Sequence, residues 1–120
     1  MRGQISFEYL LVSVVALFLL SISAASLINI KESSEVSMEK FRFKSSAEKL
    51  TNTMAEVCAL GSGNKRTILL NSHLSFDYYD GEVHITNSTI IREIACEVIA
   101  EKDLYGSVVV ENNNGKIKIR

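Results

Sequence analysis

The chain has 120 residues, of which 47% are hydrophobic, and a formal net charge of −1. Lysine and arginine are interspersed with acidic residues and form no basic cluster, which excludes the usual kind of nucleic-acid-binding surface. The length allows one small domain beside an apolar N-terminal stretch. Roughly the last 55 residues alone would bury too little surface to be sturdy, so another element must cover them.

The first element is an apolar segment. An uncharged run from Tyr9 to Ile30 is long enough to cross a bilayer, and one carboxylate, Glu8, directly precedes it. A secretory signal cut near residues 23–25 would account for the apolar run, and so would a simple membrane anchor. Neither explains Glu8, nor the helical pattern that continues past Ile30.

A more specific motif lies in the stretch GQISFEYLLV. Gln4, Ser6 and Glu8 follow the order Gln-x-Ser-x-Glu-x-x-x-Leu, with Val12 in place of the final leucine. In this motif the chain resembles archaeal type IV pilin-like proteins, whose class III signal peptide is cut between a glycine and a glutamine. The resemblance implies cleavage between Gly3 and Gln4, with the apolar segment retained.

A second stretch, CALGSGNKRTILLNS, is similar to members of a small, uncharacterised archaeal pilin-like family. The resemblance implies a structural subunit of a type IV-like pilus that serves surface attachment. Its implied partners are the prepilin peptidase, copies of itself or related pilins, and an assembly platform with an ATPase. The precursor would lie in the cytoplasmic membrane, and the mature chain in an extracellular surface filament.

The same resemblance gives Glu8 a role in assembly. In a filament of staggered parallel helices, Glu8 would meet the new α-amino group of Gln4 on a neighbouring subunit. A first-turn position of Glu8 would add a helix-dipole contribution of about 0.3–1 kcal/mol. Two alternatives stay open: a minor pilin that primes or tips a filament, and a membrane-anchored or secreted binding module.

One helix is predicted for most of the first 60 residues, because no glycine lies between Gly3 and Gly61 and the chain has no proline. Beyond Ile30, apolar residues recur at helical spacing and predict one buried stripe; its members are Val36, Phe43, Ala47, Leu50, Met54 and Val57. Gly61 is placed to end the helix. The predicted order is a cleaved leader (1–3), a hydrophobic helix (4–30), its amphipathic continuation (31–60) and a C-terminal β head (61–120).

Strand signals fill the β head. Asp80-Gly81 and Asn114-Gly115 each separate two strand-like runs and predict hairpins. Alternate aromatic residues of FDYY are predicted to pack on a core, and ENNNGK to form an exposed turn. Residues 89–99 fit a helical face or a strand, and their β-branched content favours the strand. The predicted fold is α+β, a long N-terminal helix packed on a small antiparallel sheet, as in type IV pilins.

The two cysteines, Cys58 and Cys96, are too far apart for a CxxC motif. Two possibilities therefore stay open, a disulfide or two buried thiols. An extracellular location of the head favours the disulfide. A disulfide would join the end of the helix to the sheet. Asn87 begins an N-glycosylation sequon.

Catalytic chemistry is not indicated. His73 and His84 lie near acidic residues of a predicted hairpin, but exposed histidines there are typical of solvated side chains rather than metal ligands. No nucleophile is paired with a base, and GSGNK lacks the pattern of a phosphate-binding loop. The sequence therefore predicts a protein that is not an enzyme and that has no metal or cofactor.

Overall fold

The computed structural model describes residues 2–120, with only the backbone of Arg2. Its α+β layout confirms the predicted fold class: one helix, α1, is followed by β-sheets. The described chain divides into two compact units, one ending at Met38 and one spanning Glu39–Arg120, which we call the C-terminal unit. The elements are α1 (Arg2–Leu60), β1 (Lys65–Leu74), β2 (Phe76–Tyr79), β3 (Glu82–Ile85), β4 (Ile91–Glu93), β5 (Glu97–Ala100), β6 (Leu104–Asn113) and β7 (Lys116–Ile119).

The strands form two sheets, with the orders β1-β6-β7-β5 and β2-β3-β4. All neighbouring strands are antiparallel except β5 and β7, which are parallel. The larger sheet is therefore mixed rather than purely antiparallel. The cause is the hairpin of β6 and β7, which leaves the far edge of β7 for β5, and β5 pairs there in the same direction as β7.

Both predicted hairpins are confirmed. Asp80 and Gly81 have φ angles of 53° and 80°, and they join β2 to β3. Asn114 and Gly115 have φ angles of 53° and 82°, and they join β6 to β7. Two consecutive residues with positive φ define a type I′ turn, whose twist matches that of the strands.

The segment at residues 89–99 contains strand and no helix, as its β-branched content predicted. It is interrupted: β4 and β5 are separated by residues 94–96, where Ile94 turns into the core. The alternation predicted for FDYY is also confirmed, since Phe76 and Tyr78 pack against the core while Tyr79 is 53% exposed.

The core of the C-terminal unit lies between α1 and the sheets. Four members of the predicted stripe, Ala47, Leu50, Met54 and Val57, are completely buried. Phe43 is half-buried against the same core. The sheets contribute Ile68, Leu70, Leu74, Val83, Ile85, Ile94, Val98, Leu104, Val108, Val110, Ile117 and Ile119. Helix α1 thus covers the apolar side of the sheets, as the small size of the β head requires.

The stripe is shorter than predicted. Val36 belongs to the unit that ends at Met38, and it is 53% exposed. Helical spacing places Val36 on the same side as Leu50, but spacing reports only which side a residue occupies and not whether another element covers it. The buried part of the stripe begins at Phe43.

The end of α1 is held by polar contacts. Gly61 has a φ of 87°, as predicted for the residue that ends the helix. Asn64 Nδ2 donates hydrogen bonds to the carbonyls of Leu60 and Gly61 at 2.9 and 3.1 Å. Further back, Asn112 Nδ2 donates to the carbonyl of Val57 at 3.2 Å. These contacts satisfy carbonyls that have no partner inside the helix.

Asn112 corrects the prediction of an exposed turn for ENNNGK. Its side chain is 1% exposed, whereas Asn113 and Asn114 are exposed. Asn112 Oδ1 also accepts a hydrogen bond from the backbone N–H of Gly115 at 3.0 Å. One buried amide therefore connects the helix to the β6–β7 turn. The local sequence does not distinguish Asn112 from the exposed asparagines beside it.

Candidate functional site

The residues of the predicted processing and assembly motif all lie on α1. Gly3, Gln4, Ser6 and Glu8 are helical and exposed, and Met1 of the predicted leader lies outside the described residues. The Gly3–Gln4 peptide bond falls in the first turn of the helix, where backbone N–H groups lack partners inside the helix.

The expected helix-dipole contribution of Glu8 is wrong for this chain. Helix α1 begins at Arg2, and its first turn contains no acidic residue. Glu8 lies in the second turn, and it would still lie beyond the first turn if the helix began at Gln4. Because the interaction with the dipole falls off within one turn, the dipole contributes little at Glu8.

Among residues 3–120, no ion pair involves Glu8, and its side chain is exposed. An ionised carboxylate beside an apolar surface is costly to bury unless it meets a cation. Within residues 3–120, no ion pair offsets that cost for Glu8.

The apolar surface next to Glu8 is continuous. Every large apolar side chain from Ile5 to Ile30 is at least half exposed, including Phe7 at 65% and Phe18 at 66%. By length and composition α1 contains a stretch able to span or anchor in a membrane, and none of that stretch is buried. An apolar surface of this size is typical of contact with lipid or with other protein.

Four hydroxyl groups in this segment are satisfied by the helix itself. Ser13, Ser21, Ser23 and Ser26 each donate to the carbonyl four residues earlier, at 2.8 to 3.0 Å. A hydroxyl bonded in this way adds little unsatisfied polarity, so the segment suits lipid or tightly packed helices equally well.

Cys58 and Cys96 are joined by a disulfide in the structure, with their Cα atoms 5.9 Å apart. Cys58 lies in the last turns of α1, and Cys96 directly precedes β5. Both are half-buried against the core. The covalent bond therefore fixes the helix end to the segment between β4 and β5.

The sequon residue Asn87 lies in the turn between β3 and β4. Its φ is 61°, a left-handed conformation that asparagine tolerates, and its side chain is exposed. Ser88 helps to shape the turn, since its Oγ accepts a hydrogen bond from the N–H of Ile90 at 2.8 Å. The exposed side chain of Asn87 carries the Nδ2 atom to which a glycan would be attached, and its glycosylation stays a prediction.

The two histidines lie in different places, each stacked on a tyrosine. His73 Nδ1 is 3.2 Å from Asp103 Oδ2, and the ring is 4.3 Å from that of Tyr105. His84 Nδ1 lies 3.2 Å from Tyr79 Oη, and His84 Nε2 lies 3.1 Å from Glu82 Oε2. Within the described residues, no three histidine, cysteine or acidic side chains are grouped to hold a metal ion.

Protein-family models, curated proteins and solved structures give no match to this chain. A long N-terminal apolar helix that packs on a small β-sheet is compatible with a pilin-like fold.

Proposed function

We propose that this protein is a structural subunit of an archaeal type IV-like pilus that serves surface attachment. The observation that carries the proposal is the exposed apolar helix whose first two turns carry Gly3, Gln4, Ser6 and Glu8. A membrane peptidase would cut between Gly3 and Gln4, and the apolar segment would then polymerise with those of other copies or related pilins. An assembly platform with a cytoplasmic ATPase would supply the work of extraction from the membrane.

The exposed surface between Ile5 and Ile30 supports both stages of this cycle. As a precursor the segment would lie in the cytoplasmic membrane, where lipid covers its apolar side chains. In the extracellular filament the equivalent segments of neighbouring subunits would cover it instead. The internally bonded serines fit both environments, because their hydroxyls already have partners.

The position of Glu8 favours a polymerising subunit over a simple membrane anchor. Apolar helices slide past one another at little cost, so a filament needs a feature that fixes their register. Cleavage creates an α-amino group at Gln4, and in a staggered arrangement this cation would pair with Glu8 of the next subunit. A pair buried among apolar helices costs about 3–5 kcal/mol to break when one partner is removed.

Replacement of Glu8 tests this role. Glu8→Ala should lower the amount of the chain in the sheared surface fraction by about tenfold or more, because the α-amino group of Gln4 would be buried without a partner. Glu8→Gln should cause a similar loss, since it retains the shape and removes the charge. The amount is measured by quantitative immunoblotting of sheared and membrane fractions.

The control is Glu32→Ala, which removes an exposed carboxylate from the same helix outside the apolar segment. This variant should reach the sheared fraction at the level of the unmodified chain. Normal filaments from the Glu8→Ala chain would contradict the assembly role of Glu8. Both the unmodified and the Glu8→Ala chain displayed at the surface but held in the membrane fraction would favour a membrane-anchored binding module.

A further inference from the structure

The outer side of the four-stranded sheet is rich in cations. Alternation along β7 buries Ile117 and exposes Lys118. Cross-strand register places Glu111 of β6 between Lys65 of β1 and Lys118 of β7, so these three side chains share one side of the sheet. We define the basic face by its four cations and by two exposed apolar residues on the same side: Lys65, Lys116, Lys118, Arg120, Leu69 and Ile99.

Two carboxylates neutralise only part of this face. Glu97 pairs with Lys116 at 3.0 Å, and Glu111 with Arg120 at 3.4 Å. Among the described residues, Lys118 takes part in no ion pair. The side chains of the basic face therefore retain a net positive charge.

The outer side of the three-stranded sheet carries a net negative charge. Asp77 of β2 lies opposite His84 of β3, and Glu82 of β3 lies opposite Glu93 of β4. Arg92 is in register with the buried Val83 and so belongs to the other side of β4. We define the acidic face by Asp77, Glu82 and Glu93 together with the side chains among them, Tyr79, His84 and Ile91.

The acidic face carries an unfavourable pair of its own. Glu82 and Glu93 occupy directly opposed positions on antiparallel strands, and like charges in that arrangement are destabilising. Glu82 has His84 Nε2 at 3.1 Å, whereas Glu93 takes part in no ion pair within residues 3–120. A cation docked beside Glu93 would relieve this repulsion.

We propose that the basic face of one copy of this chain docks on the acidic face of a second copy. Each face also presents exposed apolar surface that the contact would cover: Leu69 and Ile99 are 58% and 50% exposed, and Tyr79 and Ile91 are 53% and 55% exposed. A two-fold contact of either face with itself would place like charges together. When the basic face of one copy contacts the acidic face of the next, the first and last copies each keep one free face. Further copies can therefore add to either end.

The inference rests on the proposed filament subunit and deepens it, since it names the contact between C-terminal units that would accompany helix packing. Cysteine cross-linking of the full chain on intact cells tests it. A chain carrying both Ile91→Cys and Ile99→Cys, one exposed position on each face that leaves the charges in place, should give a ladder of dimers, trimers and longer multiples when treated with a long bis-maleimide. The yield should exceed by about tenfold that of a chain carrying Asn52→Cys and Lys102→Cys, two exposed positions outside both faces.

The single variants show whether the contact joins different faces. Chains with only Ile99→Cys, or with only Ile91→Cys, should stay monomeric, while a mixture of the two should give dimers alone. Dimers from either single variant would overturn the proposal in favour of a two-fold contact. A ladder no stronger than the control, or cross-links only to a different protein, would overturn it as well.

Charge reversal gives a second, independent measurement. In the chain that carries Ile91→Cys and Ile99→Cys, Lys118→Glu and Glu93→Lys should each lower the ladder yield about tenfold, and the two together should restore it, because each contact regains an opposite pair. A chain that is cut before Gln4 and sheared from the surface without forming a ladder would refute the docking while the proposed function stood. A ladder from uncut chain held in the membrane would refute the proposed function and leave the docking in place.

Discussion

The buried amide of Asn112 shows how one residue holds two elements together. Its Nδ2 donates to the carbonyl of Val57 near the end of α1, and its Oδ1 accepts from the N–H of Gly115 in the β6–β7 turn. Its backbone adds two bonds, one to Gly63 and one to Asn64, at 2.8 Å each. All four contacts converge on the point where the helix gives way to the sheet.

We expect Asn112→Ala to lower the free energy of unfolding of the C-terminal unit by about 1–3 kcal/mol, because the carbonyl of the buried Val57 would lose its hydrogen-bond donor and the turn N–H of Gly115 its acceptor. Denaturant unfolding of the full chain in detergent, followed by tyrosine fluorescence, measures the change. The neighbouring exposed residue provides the control: Asn113→Ala should alter the free energy of unfolding by no more than about 0.5 kcal/mol. Equal effects of the two variants would contradict the role given to Asn112.

The disulfide acts at the scale of elements, since it joins α1 to the segment before β5 across 38 residues of sequence. Helix and sheet also share the core that contains Leu50 and Met54, so the bond reinforces an interface that already exists. In the chain-entropy account, the bond stabilises mainly because it restricts the unfolded chain.

Replacement of Cys58 and Cys96 by serine should lower the free energy of unfolding by about 4 kcal/mol, the value that the chain-entropy account gives for a loop of this length. The same unfolding measurement on the unmodified chain with a reductant should give an equal loss. The reductant should leave the serine variant unchanged, which serves as the control. An unmodified chain whose unfolding midpoint does not respond to the reductant would contradict the role of the bond.

Elements that depend on neighbouring residues could be predicted from the sequence, and elements that depend on distant pairing could not. Asp80-Gly81 and Asn114-Gly115 specify their turns through a local preference for positive φ. The parallel pairing of β5 with β7 and the division into two sheets depend on which edges the hairpins leave open. The sequence contains the charged residues of the basic and acidic faces, but it does not show that they share a surface. The register of the paired strands determines that.

At the scale of the whole molecule, the chain combines an apolar helix segment with a compact C-terminal unit. The N-terminal motif was readable because its residues are contiguous, and the structure places all of them on exposed helix. Across the described residues, the surface from Ile5 to Ile30 is the largest apolar surface without a partner. Cleavage that retains this segment is the step on which the proposed function depends.

The most direct test is intact mass together with N-terminal sequencing of the chain from the membrane and sheared surface fractions of the native cell. If the chain is a filament subunit, it should start at Gln4 with a free α-amino group, retain the segment from Ile5 to Ile30, and be abundant in the sheared fraction. A chain that starts at Ser26 would have lost both Glu8 and the apolar segment, and it would contradict the filament assignment in favour of ordinary export.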